Sequence, residues 1–215
     1  MVGIFNYDSG VINILNKLTD FVCLFVLWLL FSVPIVTFGA STSAFYYTFR
    51  KVIIKERGYL WRSFIHSFKD NFKQATGMFI LQIVIGTILA LNCYCLLLFR
   101  TVFNDVLCGV FFGCIAIVYN WTRFWFPYIS CIEDKTKIVL KNCGQIMVRN
   151  IPWSLLLIAM FAGHLYLMYM YPHFCLLISA VYMALNGIVF NRVLNKYLPQ
   201  DSEIEDENIE SDENN

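Results

Sequence analysis

Four stretches of this chain run for 17 residues or more without a charge: 21–49, 75–99, 106–122 and 151–191. A bilayer core about 30 Å thick is crossed by about 20 residues of helix. The last run is 41 residues long and carries Pro172-His173 near its middle. Proline disfavours helix continuation, so this run reads as two helices joined by a tight turn around residues 171–173. Five transmembrane helices follow, and the expected fold class is an all-α polytopic membrane protein.

Composition supports that class and excludes an ordinary soluble domain. The chain is 59% hydrophobic and 14% charged, against about 25% charged in soluble domains. The formal charge of +1 averages two segregated populations. Eight of the fifteen Asp and Glu lie in residues 201–215, so a membrane domain over 1–198 is expected to end in an acidic, disordered tail over 199–215.

Lys and Arg are segregated as well. Residues 50–73 hold seven, residues 123–149 five, and the segment after 191 two, whereas Lys17 and Arg100 stand alone. Counting each uncharged run as one crossing and the last as two sets fourteen cations against two. Cytoplasmic loops carry the excess of Lys and Arg. The expected topology therefore has the N-terminus outside and both basic loops and the C-terminus in the cytoplasm. No positive n-region precedes residue 21, so a cleaved signal peptide is not expected.

The basic loops have helical patterning. In residues 60–73, apolar Trp61, Phe64, Ile65, Phe68 and Phe72 recur at helical spacing, while Arg62, His66, Lys69 and Lys73 take another face. This predicts a basic amphipathic helix in the membrane interface, facing anionic lipid or a protein partner. Nucleic acid is not expected, because the helix is tethered at both ends to spans. Residues 136–150 give a weaker version. Val11, Ile12, Leu15 and Leu18 predict a further short interfacial helix, capped by Asp8 or Ser9.

The run 21–49 is longer than a crossing needs, about 43 Å as one helix, and its end is small and hydroxylated. Pro34 and Gly39 can bend or break it. Ser41, Thr42 and Ser43 can then bond the freed backbone, and Gly39 and Ala40 permit close helix approach. Two readings stand: a kinked packing helix, or a broken helix lining a solute site. His164 is the one ionisable residue read inside a span, either bonded to a neighbouring helix or part of a site. Gln82, Asn92, Asn120 and Asn186 read as interhelical hydrogen-bonding residues. Trp121, Arg123, Trp125 and Tyr128 read as an interfacial belt with a snorkelling cation.

The ordered segments "FNYDSGVINILNKLTD", "LLFSVPIVTFGASTSAFYY", "GYLWRSFIHSFKDNFKQAT", "FPYIS", "VLKNCGQIM" and "NIPWSLLL" resemble the YesL-like family of bacterial integral membrane proteins, over about residues 5–197. That resemblance implies a bacterial plasma-membrane protein in a carbohydrate-uptake setting, with sugar-importer subunits as partners. It supplies no catalytic residue. The chain has no Walker, HExxH or GxSxG motif, and its eight cysteines form no CxxC. No enzyme activity, metal or cofactor is expected. It also lacks the Glu-Ala-Ala signature of an importer permease. The expected function is an accessory or regulatory component of carbohydrate uptake. The alternative is a small-solute transporter or channel, as a homo-oligomer because five short spans enclose little.

Overall fold

The computed structural model describes residues 10–98 and 102–197. These form eight α-helices: α1 Gly10–Ser32, α2 Phe38–Thr48, α3 Leu60–Leu98, α4 Val102–Arg123, α5 Trp125–Ile129, α6 Thr136–Arg149, α7 Ile151–Met170 and α8 Cys175–Leu194. No strand occurs among the described residues. Five helical stretches are long and apolar enough to cross a membrane: Ile12–Ser32, Leu60–Leu96, Val106–Ile129, Ile151–Met170 and Pro172–Leu194. The regular structure of the described residues is thus all helical, with the apolar helices of a multi-pass membrane protein.

The turn expected at Pro172 is present, as the single 3-10 turn Pro172–Phe174 between α7 and α8. Of the two readings of the first run, kinked or broken, the helix is broken, at Pro34. The first long helix starts well before residue 21 and stops at Ser32, and the rest of the run, past Pro34, belongs to α2. A 3-10 turn, Ile35–Thr37, joins the two helices, and a π-helical turn, Phe49–Ile54, extends α2.

Two predicted interfacial helices are not separate elements either. Val11, Ile12, Leu15 and Leu18 lie in the first turns of α1, and residues 60–73 are the first turns of α3. At 39 residues, α3 is about 58 Å long, roughly twice the thickness of a bilayer core. Helix α6 is an independent helix, as its pattern suggests. The proposed caps Asp8 and Ser9, and the tail 199–215, lie outside the described residues.

Helix α2 is largely enclosed by its neighbours. Gly39, Ala40, Ser41, Thr42, Ser43, Ala44, Phe45 and Thr48 are all buried. Its small residues bring it against α3, and Phe25 of α1, Phe45 of α2, Phe49 of the π-helical turn and Phe64 of α3 share one core cluster with Leu24 and Met183. A second cluster, built on Phe124, Trp125, Val139, Leu157, Phe190 and Val193, ties α5, α6, α7 and α8 together. The outward faces of α1, α3, α4, α7 and α8 are apolar and exposed, as lipid-facing helices are.

Candidate functional site

The α1–α2 break is held by the hydroxyls around it. Proline offers no N–H and ends the α1 ladder, which leaves carbonyls without helical partners. Thr37 Oγ1 lies 2.6 Å from Phe31 O and 2.7 Å from Pro34 O, and donates to one of them. Ser41 Oγ donates to Trp28 O at 3.0 Å and accepts from Ser32 Oγ at 3.1 Å. Trp28 Nε1 donates to Thr42 Oγ1 at 3.2 Å, while that hydroxyl donates to Phe38 O at 2.7 Å. Ser43 Oγ is buried with no hydrogen-bond partner. Gly39, in the first turn of α2, lies at the α2–α3 contact, where an added Cβ would meet Ala75 O at 2.5 Å and Phe79 Cβ at 2.8 Å. The residues from Pro34 to Ser43 thus close a turn and a helix contact.

The second cluster lies between α4, α7 and α8. Arg123 folds inward: Nη1 donates to Leu157 O at 2.8 Å, and Nη2 donates to Asn186 Oδ1. Its guanidinium carbon sits 5.4 Å from the Tyr182 ring, 5.7 Å from Tyr119 and 6.0 Å from Phe190, all within cation–π reach. Asn186 is oriented by its own amide, which donates to Tyr182 O at 2.7 Å. His164 stacks on Tyr182 at 4.2 Å, with Nδ1 buried and unpartnered. Among the described residues, no carboxylate pairs with Arg123.

This corrects the belt reading. Trp125 and Tyr128 are buried, and Arg123 takes carbonyl and amide acceptors inside the bundle in place of water. His164 is therefore not alone: Arg123 also falls within an apolar span, Val106–Ile129. The count of uncharged runs missed it because a charge ends a run by definition. The available signal was the continuation "FWFPYISCI", nine residues without charge after Arg123. Of the four predicted interhelical amides, only Asn186 makes a side-chain bond to another helix. Asn92 bonds Ile88 O of its own helix at 2.7 Å, and Gln82 Oε1 and Asn120 Oδ1 are buried without partners.

A polar network joins α3, α5 and α6. Tyr128 OH donates to Asp134 Oδ2 at 2.7 Å and accepts from Asn142 Nδ2 at 2.8 Å. Gln74 Nε2 donates to Asp134 O at 2.8 Å. Next to it, Cys143 is fully buried, and burial pushes its thiol pKa well up.

On α3, the predicted partner surface divides cleanly. Trp61, Arg62, His66, Lys69 and Lys73 are exposed, while Phe64 is buried and Phe68 and Phe72 are half-buried against α1 and α2. His66 Nδ1 lies 2.6 Å from Asp70 Oδ2, one turn on. Among the described residues, no group of His, Cys, Asp and Glu could hold a metal ion.

Compared with known proteins, residues 21–93 match the model of a family described as "Protein of unknown function, DUF624". The matched stretch runs from the middle of α1 through the α1–α2 break into the second half of α3. No curated protein and no solved structure matches the chain.

Proposed function

We propose that this protein is an accessory or regulatory component of carbohydrate uptake in a bacterial plasma membrane, working through the exposed face of α3. The observation that carries this reading is the division of α3's first turns. Phe64, Phe68 and Phe72 anchor the helix, leaving Trp61, Arg62, His66, Lys69 and Lys73 outward as a basic surface with one aromatic. Aromatic residues and Arg are favoured at interface centres. Each Lys or Arg near anionic lipid contributes about 1 kcal/mol, so lipid competes for the same face. The carbohydrate setting and the importer partner rest on the family resemblance, and the reading assigns no catalysis.

Affinity purification in mild detergent from native membranes tests it, with the parent and an Arg62→Glu/Lys69→Glu variant compared by mass spectrometry. Importer subunits should accompany the parent and be lost from the variant. Recovery of the same subunits with both proteins would remove the α3 face from the proposal, and their absence from both would remove the importer.

A second reading, a homo-oligomeric small-solute transporter or channel, is favoured by one observation. Arg123 is a cation inside an apolar span with no carboxylate partner among the described residues, and charged groups in spans commonly mark solute or ion paths. An anionic solute recovered with the parent and absent from Arg123→Leu would put this reading first.

A further inference from the structure

Four contacts between α1 and the segment after the break pair rising numbers with falling ones. Ser32 meets Ser41, Trp28 meets Thr42, Phe21 meets Phe49 at 6.1 Å, and Lys17 Nζ lies 2.5 Å from Glu56 Oε1. That is the signature of an antiparallel hairpin, closed at Val33–Thr37 and open at Lys17 and Glu56. Its arms match in length. From Lys17 to Ser32 is about 22 Å of helix, and Phe38–Ile54 is about 25 Å. The chain therefore comes back to the level it left, and Glu56 stands among Lys55, Arg57 and the other cations of residues 50–73.

From this pairing we infer that the α1–α2 hairpin enters and leaves the membrane by the same face, so that the N-terminus is cytoplasmic and only α3, α4, α7 and α8 make net crossings. This replaces the outside placement that follows from counting residues 21–49 as one crossing. Lys17 and Glu56 sit at one depth, so the N-terminal end of α1 and the start of α3 share a side. Put outside, they would carry the seven cations of residues 50–73 with them, and the next crossings would put residues 123–149 outside as well. Put inside, Lys17 joins the basic side, and fourteen against two becomes fifteen against one. Four net crossings return the C-terminus to the same face.

The surface fits lipid as its partner. Val22, Val26, Leu30, Val33, Ile35 and Val36 are each more than half exposed, along one side of α1 and around the tip. Residues that face lipid have no reason to be polar. The polar bonds of Thr37, Ser41 and Thr42 are all made inside the hairpin, as nonaqueous surroundings require.

Single cysteines in a cysteine-free variant provide the test: one ahead of Met1, one as Tyr59→Cys and one as His173→Cys. A membrane-impermeant maleimide should label only His173→Cys in intact cells, and the other two only after permeabilisation. Labelling of the N-terminal cysteine in intact cells with Tyr59→Cys protected would overturn the inference. Should the cysteine-free variant fold poorly, a fluorescent protein that matures only in the cytoplasm, fused to the N-terminus of the parent, answers the same question. A bright fusion supports the inference, and a dark but stably inserted one overturns it. Lys17→Cys with Glu56→Cys should also be bridged within one chain by a short bismaleimide, which spans the gap two long side chains fill where a disulfide would not, and failure of this pair to be bridged would remove the hairpin itself.

Discussion

Gly39 of α2 lies against the Ala75 carbonyl of α3 so closely that a Cβ on the glycine would sit 2.5 Å from that oxygen. The obstacle is backbone, and backbone cannot rotate aside as a side chain can. Close approach through small residues is how membrane helices gain packing energy without a hydrophobic drive between them.

Substitution at Gly39 should therefore be costly even when small. Gly39→Ala is expected to lower thermal stability, and Gly39→Leu to lower it severely. Gly77→Ala on α3 is the control, since a Cβ there meets nothing within 4 Å, and alanine should be neutral or stabilising by about 0.5–1 kcal/mol. Gly187→Ala should fall between, because its obstacle is the Phe49 ring, which can turn. Melting curves in detergent, by fluorescence-detected size exclusion, give the order. A Gly39→Leu protein as stable as the parent would end the packing account.

The hydroxyls next to that contact should matter less. Ser41→Ala with Thr42→Val removes bonds that link α1 and α2, each about 0.6 kcal/mol as found within membranes. A modest fall in melting temperature, with transport or growth phenotype unchanged, is the expected result. A solute site would reverse the pattern, with function lost and stability kept.

Arg123 joins three helices, so its removal tests whether it is held for structure. In Arg123→Leu, Asn186 Oδ1 loses its donor, at about 1–3 kcal/mol for a buried group left unsatisfied, while Leu157 O, inside α7, keeps its helical N–H. Arg123→Lys keeps the charge and loses the fork that reaches both acceptors. Both should melt below the parent, with Leu the lower. Asn186→Ala should be partly redundant with Arg123→Leu in a double-mutant cycle, because the two share a bond. A leucine variant more stable than the parent would show that the charge is kept at a cost, which points to a solute.

Cys143 should be inert until the protein unfolds. Its thiol is fully buried on α6 and its pKa is raised by that burial, so at pH 8 it stays protonated and the reactive thiolate is scarce. With Cys143 as the sole cysteine, maleimide labelling should be absent from folded protein and complete in denaturant. Rapid labelling at pH 8 without denaturant would mean that the α5–α6 core opens.

By itself the sequence determined how many long apolar helices there are, where the last two start and stop, and which residues turn the chain at Pro172. Those properties are local. Charge ends an apolar run, and proline removes an N–H, whatever the rest of the molecule does. The same locality made Phe64, Phe68 and Phe72 legible as the inward face of α3's first turns. Tertiary structure decided the rest. Pro34 could have been a kink or a break, and it became the closed end of a hairpin because Ser41, Thr42 and Phe49 found partners on α1. Arg123 could have reached water, and it turned inward because Leu157 and Asn186, 34 and 63 positions away in the chain, present acceptors beside three aromatic rings. Contacts at such separations leave no periodic trace in one sequence, since each depends on how two distant helices meet.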